Sequence, residues 1–501
     1  MCRNPCRAGP VNTSIKDSIL RDSIYRDSLI AVLGFVGRRH ELGLLDGMLA
    51  EVRGLVGSAW PGRCVIVRGR RRIGKSTLIE QFIERQQAPS VFYTAEIGFG
   101  GEALREFSDA VRISGLRDAQ VFGDAVPGNW AAALRQLAGV LPDDRPSIVV
   151  LDELPYLMDP DGAFESVLQR SWDRELSRKP VLLVLVGSDL SMMEALTSYG
   201  RPFHQRGMQL NVGPLNPADV AAMARLSAAE AFDAALVTGG LPIICARWRP
   251  GEDTRAFLAR ELANPVSPLA VSAQLSLAAE FPDQAHARMV LAAIGSGERT
   301  FANIARAAGG IAHSTLIRAA DLLIGKGVVA AELPVSLSPS KERRYRITDS
   351  YLRFWLAFLG PHLPEVDRMR SDLTLARIER SWTDWRGRAV EPLVREALAR
   401  LLPAHGIPAA PVIGGYWTRS NDVEIDIVGA DREPVARQLL FLGSVKWQEA
   451  RQFDAHDLVA LQRQRDRVTA DPVPLIAVSR SGVSSTHADA AFTPADLIQA
   501  W

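Results

Sequence analysis

The sequence predicts a mixed α/β protein organised around a parallel sheet, and three observations carry that expectation. Between Phe35 and about Leu215, short apolar runs alternate with helical patterns. The first of those runs leads straight into a glycine-bounded loop that ends in Gly-Lys-Ser. Further along, three short helical patterns are followed by two strand-like runs around a polar turn. At 501 residues the chain is too long for one ordinary core, so several domains are expected.

The apolar runs are Cys64–Arg68, Ser90–Thr94, Ser147–Leu151, Val181–Gly187 and Met208–Val212. Several are continuously apolar, as strands are when helices cover both faces of a sheet. Their alternation with helical patterns implies parallel pairing. Residues 1–34 stand apart. There Asp17-Ser-Ile-Leu-Arg21 and Asp22-Ser-Ile-Tyr-Arg26 repeat a polar pentad that cannot bury a core. They are expected to be a disordered tail or the product of a mis-assigned start. Residues 35–215 are expected to form the nucleotide-binding core, and residues 216–285, rich in Ala and Leu, a helical lid. Within 286–360 come Arg288–Ala293, Phe301–Ala308 and His313–Lys326, then Val328–Pro334 and Tyr345–Ile347. Three helices followed by a hairpin is the winged-helix pattern. A linker is expected at 361–380 and a second mixed helix–strand domain at 381–501.

The bulk composition is that of an ordinary globular protein, 47% hydrophobic and 23% charged. A net charge of +1 gives no global demand for a nucleic-acid partner, so any basic surface must be local. The cysteines are Cys2, Cys6, Cys64 and Cys245, without the paired spacing of a disulfide framework or zinc site, and a cytoplasmic location is expected. No apolar run reaches the ~18 residues of a membrane span, so no membrane partner is expected.

Gly69-Arg70-Arg71-Arg72-Ile73-Gly74-Lys75-Ser76 matches G-x-x-x-x-G-K-[ST] at every fixed position. The strand Cys64–Arg68 precedes it, and a helical pattern opening at Thr77 follows. The glycines let backbone N–H groups converge on phosphates at a helix N-terminus. Lys75 is expected to reach the β- and γ-phosphates of ATP, and Ser76 to ligate Mg²⁺. Ser147-Ile-Val-Val-Leu-Asp152-Glu153 ends a strand in two acids, at the edge where open α/β sheets bind ligands. Asp152 is expected to hold the metal and Glu153 to polarise the attacking water. The strand between the two motifs, with Glu153 beside Asp152, points to the P-loop division that uses a catalytic glutamate. Ser188, after Val181–Gly187, either senses the γ-phosphate or caps a loop. Arg206, with Arg201 competing, either stabilises transition-state charge, in cis or across a subunit contact, or is a solvated surface residue.

These motifs together resemble the archaeal-type P-loop ATPases of the AAA+/STAND-like group, whose C-terminal region is a restriction-endonuclease-like domain of unknown function. The resemblance also rests on Phe35-Val36-Gly37-Arg38-Arg-His-Glu-Leu42, Thr238-Gly-Gly-Leu-Pro242, Tyr345-Arg-Ile-Thr-Asp349 and Leu352-Arg-Phe-Trp355. It implies that Val36, Gly37 and Arg38 lie near the adenine. It also implies that Gly239, Gly240 and Pro242 shape the lid; the residues alone read as a helix C-cap or turn.

In the winged helix, His313, Ser314, Thr315 and Arg318 would be presented by the second helix of the turn motif, with Lys341, Arg343, Arg344 and Arg346 as a basic wing for DNA phosphates. No strong base reader stands near the start of that helix, so either weakly specific DNA contact or packing on the ATPase core is expected. In the last domain, Arg388–Glu396 reads as the start of a helix. Asp426 on one strand and Ser444-Val-Lys446 on the next resemble an endonuclease core, to which the family pattern adds Glu391. Ser444 stands where the family has Glu, a poor exchange for a carboxylate ligand, so this nuclease-like site is expected to be degenerate, with Glu424 or Glu449 the alternative acids. The leading expectation is an ATP-hydrolysing molecular switch, with ATP and Mg²⁺ as ligands. The alternatives are an ATP-dependent DNA-binding regulator and an ATP-controlled nuclease of a defence system or mobile element. DNA and self-association are the further partners expected.

Overall fold

The computed structural model describes residues 35–96, 100–124, 126–158, 163–484 and 487–501, so the pentad-bearing segment 1–34 lies outside the described residues. The chain divides into two compact units, Met1–Gly37 and Arg38–Trp501. Of the first, only Phe35, Val36 and Gly37 are described, with Gly37 at φ 76°.

Five strands form the first sheet: β1 (Arg63–Arg68), β2 (Ser90–Thr94), β3 (Ser147–Asp152), β4 (Val181–Gly187) and β5 (Met208–Asn211). All pair in parallel, in the order β2-β3-β4-β1-β5. Every residue of β3 and β4 is buried, which is why their sequences run apolar without alternation. One face packs on the helices Gly100–Arg112, Trp130–Val140 and Ala163–Arg174, through Phe107, Leu134, Leu137, Phe164 and Leu168. The order has one consequence for chemistry. β4 lies between β1, which carries the Gly-rich loop, and β3, which carries the two acids. The loop after β4 therefore opens between them.

The next helices are Pro217–Ala224, Ala228–Thr238, Thr254–Leu262 and Pro268–Glu280. Ser227 and Glu230 close a capping box on the second, and Gly239 ends it in a left-handed conformation at φ 60°. A Cβ at Gly239 would stand 2.7 Å from the Tyr351 backbone nitrogen, so glycine is required there by space as well as by φ. Helices Ala285–Gly295, Phe301–Ala307 and His313–Gly325 follow, then an antiparallel hairpin of β6 (Val329–Glu332) and β7 (Arg344–Ile347).

The segment 361–380, expected to be a linker, is helical instead. Leu363–Asp367 forms one turn, and a 31-residue helix, Ser371–Leu401, runs through the expected boundary at 381. Arg388–Glu396 is thus the middle of a helix, not its start. Its first half is charge-rich, but Leu375, Ile378, Trp382 and Trp385 recur at helical spacing and mark the stripe that the linker reading passed over. Beyond it, β8 (Val412–Trp417), β9 (Glu424–Ala430), β10 (Leu439–Lys446), β11 (Leu475–Ser479) and β12 (Ala490–Phe492) form a second sheet in the order β12-β11-β10-β9-β8. Strands β8 to β10 pair antiparallel, and β10 to β12 parallel. Val390, Val394 and Leu398 of the long helix pack on one face with Phe441 and Ile476. Leu458 and Leu461 of the helix Ala455–Val468 cover the other with Ile425 and Leu475. The first of these cores also contains Phe232 and Leu236, which belong to the helix Ala228–Thr238. Among the described residues, no helix is long and apolar enough to cross a membrane.

Candidate functional site

The loop between β1 and the helix Lys75–Gln86 turns through left-handed residues, Arg72 at φ 63° and Gly74 at φ 87°. A Cβ at Gly69 would run into the Val212 carbonyl, so the loop backbone lies against β5 in a way only glycine permits. Lys75 is buried and folds back over this loop. Its Nζ donates to the carbonyls of Gly69 at 2.9 Å and Arg70 at 3.0 Å, and to Ser188 Oγ at 2.8 Å. Ser188 Oγ in turn donates to Glu153 Oε1 at 2.7 Å. The position of β4 makes this chain of contacts, because it brings Ser188 between loop and acids.

Asp152 is buried, and its Oδ1 accepts the Glu153 N–H at 2.9 Å. A hydrogen bond links its carboxylate to Ser76, so the two expected metal ligands are adjacent. Burial lifts the Asp152 carboxyl above the usual carboxylate range, against the pull of Ser76. Burial also lowers Lys75 to about 8, opposed by Glu153 and Asp152. Glu153 holds φ 52°, a left-handed conformation costly for a non-glycine residue. Strain of this kind clusters at working sites, and here it turns the carboxylate toward Ser188.

The three arginines of the loop point outward to different elements. Arg70 Nη1 meets Asp349 Oδ2 at 3.0 Å, and its Nη2 donates to the Gly327 carbonyl at 2.8 Å, so the loop is tied to both ends of the β6–β7 hairpin. Arg71 donates to the Tyr156 hydroxyl at 2.8 Å, and Arg72 reaches Ser272 at 3.5 Å. Ile73 offers its carbonyl to Arg38 Nη2 at 2.9 Å, and Arg38 also pairs with Glu41 at 3.0 Å. Thr77 lies in the first turn of the helix Lys75–Gln86. Gly239 is the helix C-cap that the residues alone suggest, and Pro242 stands 3.5 Å from the place of a Cβ on Gly74, against the loop.

Arg206 is not brought to this cluster. It precedes β5, whose residue Met208 pairs with Val65 early in β1, so it sits at the sheet edge opposite the loop. Its guanidinium is held bidentately by Asp173 at 2.8 and 3.0 Å. Arg201 pairs with the buried Glu165. Both arginines are thus engaged by carboxylates of the same chain, Arg206 at the sheet edge opposite the loop.

The basic wing is also rearranged. Arg343 and Lys341 are exposed, but Arg344 is buried against the C-terminal sheet. It pairs with Glu424 at 2.6 Å and Asn421 at 2.7 Å, and lies over Trp417 at 4.5 Å. Arg346 pairs with Glu332 across the hairpin. Two of the four residues expected to meet DNA phosphates are therefore committed within the protein. His313, Ser314 and Arg318 are exposed on their helix and Thr315 is partly buried.

At the nuclease-like positions, Asp426 Oδ2 accepts from Ser444 Oγ at 3.0 Å and from the Val445 N–H at 2.8 Å. Glu391 is near enough for Asp426 to help burial push it up to about 7. The Arg395 guanidinium bridges them, with Nη2 on Glu391 Oε2 at 2.9 Å and Nε on the Asp426 carbonyl at 2.7 Å. Lys446 faces Asp457 at 3.6 Å, Glu424 is taken by Arg344 and Arg299, and Glu449 by Arg386. This donor set does not fit a divalent metal: a protein cation already neutralises Glu391, and the Asp426 oxygen facing Ser444 is saturated. Sequence reasoning missed Arg395, although its i+4 spacing from Glu391 is the signal of a helical ion pair. Asp349 was singled out only as the end of a motif, and its partner Arg70 was not read; its local signal is that of an N-cap for Ser350–Phe354.

Residues 355–458 match a family model described as archaea and bacterial proteins of unknown function. An uncharacterised protein of Methanocaldococcus jannaschii is 24% identical over 398 residues, 78% of this chain and 84% of the other. Among solved structures, a Walker-type ATPase of Pyrococcus abyssi is similar at 18% identity, with 64% of this chain and 96% of that one covered and a TM-score of 0.48. The ORC2 protein of Aeropyrum pernix is similar at 14% identity, with 68% and 95% covered and a TM-score of 0.42. The P-loop core and the C-terminal match agree with the resemblance read from the motifs.

Proposed function

We propose that this chain is an ATP-hydrolysing switch whose nucleotide state is passed to the hairpin and the C-terminal sheet. The observation that carries the reading is the hydrogen-bonded chain from the Gly69 and Arg70 carbonyls through Lys75 and Ser188 to Glu153. Lys75 Nζ donates to the loop carbonyls of Gly69 and Arg70. A triphosphate offers it better acceptors, so Lys75 turns from the carbonyls to the phosphates and releases Ser188. Ser188 and Glu153 then face the γ-phosphate together, Glu153 as the base that polarises water and Ser188 as the group that positions it. Ser76 and Asp152 would hold Mg²⁺, which supplies charge neutralisation between the β- and γ-phosphates.

Two contacts support the coupling. Arg70 joins the phosphate loop to Asp349 and Gly327, so any shift of the loop pulls on the hairpin. The helix Ala228–Thr238 carries Phe232 and Leu236 into the C-terminal core, so a lid movement carries that domain with it. DNA binding is the second reading, favoured by the exposed His313, Ser314, Arg318, Lys341 and Arg343. The test of the first is Glu153→Gln. The amide keeps shape and loses basicity, so ATP binding persists while turnover falls by about 10²–10⁴. Wild-type turnover in that variant removes Glu153 from catalysis.

A further inference from the structure

The hairpin, the helix Ser350–Phe354, the long helix Ser371–Leu401 and the C-terminal sheet enclose a cavity of about 50 Å³. Its wall holds two more arginines than carboxylates. Most of these charges are matched. Arg299 and Arg344 share Glu424, Arg346 takes Glu332, and Arg395 takes Glu391. Arg353 and Arg388 remain, and among the described residues neither has a carboxylate within 4.0 Å.

Arg353 is the informative one. It is partly buried, it lies 6.0 Å from the centre of the Trp385 ring, and burial followed by the neighbouring Arg346 and Arg299 holds it down to about 10, opposed by Glu391. A guanidinium kept in poor solvent contact beside two like charges is costly unless an anion meets it. Arg388 reaches the same wall from the exposed side of the long helix, about two turns before Arg395.

We propose that this cavity binds a phosphoryl dianion, held by Arg353 and Arg388 with Arg395 behind them. Planar guanidinium forks match phosphate oxygens in geometry and charge. The volume agrees: a site needs roughly 10–15 Å³ on this measure for one water, so the space takes a tetrahedral phosphate and excludes a nucleoside. The same arrangement explains why the nuclease-like centre departs from a metal site. The guanidinium of Arg395 stands between Glu391 and the Asp426 carbonyl, so a fixed protein cation occupies the place next to Glu391. The phosphoryl group is either free orthophosphate or the terminal phosphate of a nucleic acid, since both present the same oxygens to the cleft.

The P-loop also has affinity for phosphate, so the test is made on the full-length Lys75→Ala chain. Inorganic phosphate is titrated by calorimetry, with chloride at equal ionic strength as the reference. One phosphate site is expected. Adding Arg388→Gln should weaken it about tenfold, as the loss of one charge-assisted hydrogen bond does, and adding Arg353→Gln should weaken it at least as much. Arg388 is exposed, so its variant remains informative even where Arg353→Gln fails to fold. A 5′-phosphorylated oligonucleotide that binds more tightly than its 5′-hydroxyl twin, in an Arg388-dependent way, assigns the site to nucleic-acid ends. Equal binding of the two assigns it to free phosphate. Heat no greater than that of chloride, or phosphate affinity unchanged in Arg388→Gln, overturns the proposal. Neither result bears on the ATP site.

Discussion

Asp233 is the hub of a buried ionic network, and its removal is the sharpest test of how the helix Ala228–Thr238 is anchored. Its Oδ2 accepts from Arg386 Nη1 and from Arg480 Nη2, both at 2.8 Å, and its Oδ1 accepts the Trp447 indole N–H at 3.2 Å. Arg386 has no exposed side-chain surface, and its other anionic partner, Glu449, is 64% exposed. Asp233→Ala therefore leaves two guanidiniums around an empty place, one of them buried, with only an outlying carboxylate to share. Breaking a buried pair in this way costs about 3–5 kcal/mol. Asp233→Asn keeps the volume and one acceptor and should cost roughly half as much. The assay is native-state hydrogen exchange, followed by mass spectrometry on peptides from the helix Ala228–Thr238. In Asp233→Ala, protection there is expected to fall by about two to three orders of magnitude. Helices of the nucleotide-binding half, such as Trp130–Val140, should change little. Protection of this helix within threefold of wild type would refute the reasoning, and would mean that apolar packing by Phe232 and Leu236 holds the helix unaided.

Two further outcomes follow from the sites. Lys75→Ala should lose nucleotide binding; in the wild type, fluorescent-ADP affinity should decline as pH rises through about 8, because burial lowers the free ammonium to that value and phosphate binds its charged form. Sign and slope are checked by titrating from pH 7 to pH 9.5, and an affinity that rises over that range contradicts the assignment. With Mg²⁺ or Mn²⁺, with or without ATP, linear and supercoiled DNA should stay intact, and Ser444→Glu is the variant in which weak cleavage would first show; robust wild-type cleavage lost in Asp426→Ala contradicts the reading of that centre.

The parts of the molecule most legible in the sequence were those where local pattern and local structure coincide. The strand Val181–Gly187 has the predicted limits because continuous burial writes itself as continuous apolarity, and Ser90–Thr94 has them with Val91 and Tyr93 alternately buried. The helices starting at Phe301 and His313 begin where the pattern starts. Ser188 was visible as a polar residue at a strand end, but its choice between sensing and capping was not, since that depends on β4 lying between β1 and β3. Charged residues were the least legible. Arg70 pairs with Asp349, Arg344 with Glu424 and Arg206 with Asp173, and nothing in their neighbours in sequence names a partner so far along the chain. The helix at 371–401 was misread although Leu375, Ile378, Trp382 and Trp385 recur at helical spacing; its first half also carries side-chain pairs such as Arg377 with Glu365.

The helix Ala228–Thr238 completes a core that the C-terminal sheet begins, and this bears on how such a chain can change over generations. A recombination that exchanged the last domain for an unrelated one would have to bring with it a cover for Phe232 and Leu236, and two arginines for Asp233. A deletion beginning near residue 380 would leave a wet apolar stripe and an orphaned carboxylate on the part that remains. The two halves are thus bound to descend together, and a substitution at Phe232, Asp233 or Trp447 is answered on the other side of the junction. For protein engineering the corollary is a rule of cutting: a transplantable C-terminal module has to include the segment 228–238, although more than a hundred residues of chain separate the two.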